Sequence, residues 1–121
     1  MTAGRRFPVS VYGRGVEPDA RFTLANERTF LAWIRTALAF LAAGVALELL
    51  GPDLNAALRL AASLTLIAAG VLVPLAAWVG WARAERALRE GRPLPASPAG
   101  VALGAAVVAA GTLLILAILF P

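Results

Sequence analysis

Residues 60–82 read LAASLTLIAAGVLVPLAAWVGWA and contain no charged side chain. A helix needs about 20 apolar residues to cross a hydrocarbon core about 30 Å thick, so this stretch is long enough to span a membrane. Residues 31–50 and 99–120 form two further apolar stretches of that length. We therefore predict an all-α integral membrane protein with three transmembrane helices, at about 31–50, 60–82 and 99–120.

The composition supports a membrane protein and argues against several other classes. The chain is 60% hydrophobic and 15% charged, whereas soluble domains average about 45–50% apolar and 25% charged residues. It has no Cys and no His, so it lacks a thiol nucleophile, the commonest general base and the commonest metal ligand. We predict no enzymatic activity, no metal and no cofactor. The basic residues flank the apolar stretches, so we expect no nucleic-acid partner.

All eleven basic residues are arginine, and their distribution predicts the orientation. Five precede the first span, one lies in the first link, four lie in the second link and none follows the third span, while the eleventh, Arg35, lies within the first span. Arginine-rich flanks stay on the cytoplasmic side. We therefore predict a cytoplasmic tail over residues 1–22, loosely ordered over residues 1–18, and a transmembrane domain over 23–121, with the C-terminus outside the cell. The first apolar stretch is too long for a cleaved signal peptide, so we expect it to be retained.

The first helix carries the charges of greatest interest. Thr23 or Asp19 is expected to cap its beginning. Arg28 and Arg35 are seven residues apart, so they fall within about 20° of each other on a helix, above a stripe of alanines. Two interpretations stay open for Arg35. It either extends its side chain to the headgroups or pairs structurally, or it faces an anion inside a bundle.

The run Leu24-Ala-Asn-Glu-Arg-Thr-Phe-Leu-Ala-Trp-Ile-Arg-Thr resembles the signature of the YidH-like membrane proteins, catalogued as domain of unknown function 202. That resemblance implies a three-span protein of the bacterial inner membrane. The same run is similar to the membrane part of the eukaryotic vacuolar transporter chaperone complex, which makes polyphosphate and moves it across a membrane. This second resemblance implies a homo-oligomer of about five chains, with Arg28 facing a pore and Arg83 at its mouth.

Other residues are expected to shape the helices and their contacts. Pro74 predicts a kink in the second span, with a gating hinge as the alternative. Gly100, Gly104 and Gly111 predict close helix packing, within one chain or between chains. Asn26 and Glu27 are expected to make structural pairs, and Glu27 is a candidate partner for Arg83.

Two functions follow from these observations. The first is an oligomeric conduit for an anion or polyanion, such as polyphosphate, lined by arginines of the first helix, because basic rings favour anions in pores. The alternative is a membrane scaffold or accessory subunit that transports nothing and pairs with a partner protein. In both cases the lipid bilayer surrounds the chain.

Overall fold

Three long helices make up most of the chain. The computed structural model describes residues 6–121. Within that range it has α1 (Val9–Tyr12), α2 (Ala20–Leu50), α3 (Ala56–Glu90) and α4 (Ala99–Leu119), and no strand. Helices α2, α3 and α4 are each long and apolar enough to cross a membrane. The predicted all-α membrane fold with three spans is confirmed.

Two of the helices extend well beyond the predicted spans. Asp19 caps α2, because its carboxylate accepts a hydrogen bond of 2.9 Å from the Arg21 amide. The predicted boundary between residues 22 and 23 therefore falls inside α2. Asn55 caps α3 in the same way, and α3 continues past residue 82 until Gly91, whose φ of +67° is readily adopted by glycine.

Helix α3 lies between the other two. It packs against α2 and against α4, whereas within the described residues no Cα atom of α2 comes within 8 Å of one of α4. The three helices therefore form an open layer, and a groove runs between α2 and α4 with α3 as its floor. We call the end that holds the start of α2, the end of α3 and residues 91–98 the basic end.

Small residues bring α2 and α3 close together near the middle of the layer. A Cβ atom on Gly44 would lie 2.6 Å from Cγ1 of Ile67, and one on Gly70 would lie 2.7 Å from Cγ of Leu41 and 3.0 Å from the Ala37 carbonyl oxygen. Real Cβ atoms essentially never come closer than 3.0 Å to another atom. Glycine is therefore needed at both positions for the two backbones to approach this closely.

The glycines that the sequence singled out have no such contact. A Cβ atom added at Gly100, Gly104 or Gly111 would meet no atom within 4 Å. A side chain at these positions would therefore have no close neighbour within the described chain. Pro74 lies inside α3, which continues on both sides of it, and the kink stays a prediction.

A polar cluster joins α2 to α3 at the end opposite the basic end. Glu48 accepts a hydrogen bond of 2.9 Å from the Ser63 hydroxyl, and its carboxylate lies 3.5 Å from Nε of Arg59. Nη1 of Arg59 donates to the Gly51 carbonyl at 3.0 Å. Glu48 and Arg59 thus have partners within the chain.

The close approach of α2 and α3 predicts a position-specific effect of added volume. We expect Gly70→Val to lower stability by about 1–3 kcal/mol, the usual cost of overpacking. Gly104→Val makes the same substitution where no atom of the described chain is near, so it should lower stability less than Gly70→Val does. The measurement is thermal unfolding in one detergent, followed by tryptophan fluorescence. Equal effects of the two variants would contradict the packing described here.

Candidate functional site

A buried carboxylate joins α2 to α3 at the basic end. The Thr23 hydroxyl donates to Oε2 of Glu85 at 2.9 Å. Nδ2 of Asn26 donates to Oε1 of Glu85 at 3.2 Å and to the Trp81 carbonyl at 3.1 Å. We call these four residues the Glu85 cluster. Asn26, the predicted pairing residue, thus bonds across the helix interface.

Because the Glu85 carboxylate is buried, it needs hydrogen-bond donors from the chain. The Glu85 side chain is 0% exposed, and among residues 6–121 no cation forms a salt bridge with it. A buried carboxylate is costly unless its oxygens accept hydrogen bonds, and here each oxygen accepts one from α2. Sequence analysis missed Glu85. A signal was available, because Trp81, Glu85 and Arg89 are spaced four residues apart and so lie along one side of α3.

The residues before α2 dock on the end of α3. We call residues 6–18 the N-terminal strap. Arg89 is 3% exposed and donates to the Arg14 carbonyl at 2.7 Å and to the Tyr12 carbonyl at 3.0 Å. The amide of Val16 donates back to the Arg89 carbonyl at 2.9 Å. This pairing of backbone and guanidinium fixes the strap on α3.

The docked strap corrects the prediction of a loosely ordered tail. Val11 of α1 is 0% exposed, so it is fully covered. Gly15 has a φ of +54°, and a Cβ atom there would overlap the Arg89 carbonyl, so the turn requires glycine. Residues 1–5 of the predicted tail lie outside the described residues.

Glu17 on the strap is paired both with Arg6 and with Arg89 of α3. Arg6 donates to Glu17 at 2.6 Å, and Arg89 also reaches Glu17 at 3.3 Å. The hydrogen bond from Arg6 is the main reason why the pKa of the Glu17 carboxyl lies below its usual value. Burial raises the pKa of the Tyr12 phenol, and the nearby Glu85 carboxylate raises it further.

Arg28 and Arg35 point away from the rest of the chain. Ala37 and Gly44 are the buried residues of α2. At 100° per residue, Arg28 lies about 180° and Arg35 about 160° around the helix from Ala37. Both arginines are exposed, and neither makes a hydrogen bond or ion pair with another of the described residues. The structure therefore keeps them on one face and leaves that face uncovered.

The other predicted site residues lie elsewhere. Arg83 is exposed on α3 beside residues 95–99, where it lines a cavity of about 450 Å³. The pair considered between Glu27 and Arg83 is absent, since within residues 6–121 neither side chain has an ion-pair partner. No group of three potential metal-ligating side chains occurs in that range.

Comparison with known proteins identifies the family. The family described as "Domain of unknown function (DUF202)" matches residues 21–87, more than half of the chain. The chain belongs to the DUF202 family. The matched region holds both sides of the Glu85 cluster, together with Arg28, Arg35 and Arg83. It leaves out Arg89 and the docked turn of the strap.

Two relatives of this DUF202 chain agree with that assignment. It is 51% identical over 83 residues to the inner membrane protein YidH of Escherichia coli, covering 67% of this chain and 71% of YidH. It is 48% identical over 96 residues to the uncharacterized protein Rv2272 of Mycobacterium tuberculosis, covering 77% and 79% of the two chains. No solved structure matches. The YidH-like resemblance and the inner-membrane location are confirmed.

The Glu85 cluster predicts that its carboxylate is structurally essential. We expect Glu85→Ala to lower stability by about 1–3 kcal/mol, because the Asn26 and Thr23 donors lose their acceptor in a buried place. Glu27→Ala removes an exposed carboxylate from α2 and should change stability by less than about 0.5 kcal/mol. Thermal unfolding of both variants in one detergent makes the comparison. A similar loss of stability in Glu85→Ala and Glu27→Ala would contradict the role assigned to burial of Glu85.

Docking of the N-terminal strap should weaken in acid. The pKa of Glu17 is lowered in the folded chain. Its contribution to the stability of strap docking is therefore complete above the ordinary pKa of 4.5 and is lost as the pH falls through the lower pKa of the folded chain. Hydrogen exchange at the Val16 amide, corrected for its intrinsic rate, should therefore accelerate as the pH falls below 4.5 toward the pKa of the folded chain. Glu17→Gln should exchange faster at neutral pH and lose this dependence. If exchange at Val16 still accelerates in acid in Glu17→Gln, another titrating group is responsible for the pH dependence.

Proposed function

We propose that this DUF202 chain is an oligomeric inner-membrane protein that forms an anion conduit lined by Arg28 and Arg35. One observation carries the proposal. The two arginines share the face of α2 opposite its packing surface, and neither is paired within the described chain. When several copies surround a common axis and each turns this face of α2 toward it, the arginines of all copies meet around that axis.

Arg35 is the costlier of the two arginines to leave against lipid. It lies inside the first apolar stretch, and ionisable residues at such depth usually face a bundle interior or a water-filled cavity. Two arginines seven residues apart are separated by about 10 Å along a helix. Several copies would therefore present two basic rings, an arrangement that favours anions.

The number of chains and the anion follow from the resemblance of residues 24–36 to the polyphosphate-moving membrane complex. We propose a ring of about five copies, since one layer of three helices does not enclose an axis. A chain-like polyanion such as polyphosphate would contact both arginine rings at once. Gly100, Gly104 and Gly111 have open space beside them, which supports contacts of α4 with a neighbouring copy.

The conduit predicts loss of transport without loss of assembly. We expect Arg28→Gln and Arg35→Gln each to reduce entry of short-chain polyphosphate into liposomes by about tenfold or more, because a hydrogen bond to a charged group is worth about 1.5–3 kcal/mol. Arg21→Gln is the matched control, since Arg21 is exposed and pairs with Asp19 outside the predicted spans. Native mass in nanodiscs reports assembly for every variant.

Three outcomes would overturn the conduit: a monomer that stays monomeric across detergents, no flux by the wild-type oligomer, or unchanged flux in both arginine variants. The accessory-subunit alternative has one observation in its favour, because Glu27 is exposed on α2 and has no partner among the described residues. Absent flux, together with a partner protein that co-purifies with wild type and is lost on Glu27→Ala, would favour it.

A further inference from the structure

A gap separates α3 from the start of α4 at the basic end. Cavities of about 290 and 450 Å³ open on its two sides. They share part of their lining, formed by small residues of α3 and by the link to α4: Ala76, Gly80, Pro95, Ser97 and Ala99. A Cβ atom on Gly80 would meet no atom within 4 Å. The gap is therefore open to an extended apolar group.

The larger cavity has a charged residue at its headgroup end and apolar residues deeper in the membrane. Arg83 is its one charged lining residue and follows the apolar stretch 60–82, at the level of the headgroups. Val79 and Leu75 line the same cavity one and two turns deeper, and they are 45% and 63% exposed. We call this surface, with Gly80 at its back, the Arg83 cleft.

We propose that the Arg83 cleft binds an anionic phospholipid, with the headgroup phosphate on Arg83 and an acyl chain against Val79, Leu75 and Gly80. Charge complementarity supports this occupant. Arg83 has no anionic partner within residues 6–121, and a guanidinium binds phosphate oxygens through paired hydrogen bonds. A neighbouring apolar helix would cover the lower cleft but leave Arg83 without an anion.

This site is independent of the proposed conduit. Arg83 lies on α3 beside the link to α4, whereas Arg28 and Arg35 lie on the free face of α2. Loss of lipid binding would therefore leave the arginine face of α2 intact, and loss of flux in the Arg28 and Arg35 variants would leave the Arg83 cleft intact. The two proposals can fail separately.

The test is native mass spectrometry of the delipidated protein, titrated with phosphatidylglycerol or with phosphatidylcholine of the same acyl chains. We expect one phosphatidylglycerol per chain to be retained in preference to phosphatidylcholine. Arg83→Gln should weaken its retention by about tenfold, the effect of losing one charge-assisted contact. Gly80→Leu should also weaken it by filling the gap. Arg21→Gln, the same change outside the cleft, should retain lipid as wild type does.

Several results would overturn the site. Equal retention of the two lipids, or unchanged retention in both Arg83→Gln and Gly80→Leu, would show that no anionic headgroup is recognised. A changed oligomeric mass in Gly80→Leu with unchanged lipid retention would place a neighbouring chain in the gap. Displacement of phosphatidylglycerol by millimolar inorganic phosphate would assign Arg83 to a soluble anion. Circular dichroism of each variant confirms that it is folded before it is compared.

Discussion

The Glu85 carboxylate constrains the whole layer, because it is buried in α3 while its hydrogen-bond donors belong to α2. Asn26 also donates to the Trp81 carbonyl, so α2 cannot slide along α3 without breaking all three bonds. Ser63 and Glu48 join the same two helices at the opposite end. Between these polar contacts, Gly44 and Gly70 let the backbones approach closely. Together they set both the register and the distance of the α2–α3 pair.

That register decides where the arginines point. With Asn26, Ala37 and Gly44 turned toward α3, the geometry of a helix places Arg28 and Arg35 on the opposite side. The same contacts bring the start of α2 beside the end of α3, where Arg89 captures the N-terminal strap. Structural polar groups therefore occupy the interface between the helices, and the two arginines of α2 stay available to lipid, an anion or another copy.

Much of the fold was predictable because it depends on local sequence. Residues 31–50, 60–82 and 99–120 are each apolar over a membrane's thickness, the last two without a charge, and three such runs leave so short a chain little polar surface. The run from Leu24 to Thr36 was specific enough to indicate the family. Within the described chain the close glycine contacts lie at Gly44 and Gly70, which lack the usual spacing, and not at Gly100 and Gly104, which have it. Which glycines meet a neighbour depends on how helices from distant parts of the chain are paired.

The sequence by itself determined that three helices cross a membrane and that Arg28 and Arg35 share one helical face. The reason is that hydrophobic length and helical periodicity are properties of a single segment. Only the tertiary structure decided that this face is turned away from α3, that Glu85 rather than Arg83 is the partner reached from the Asn26–Glu27 run, and that residues 6–18 are docked. These features depend on contacts between separate helices, and between the strap and α3, whose pairing no local pattern specifies.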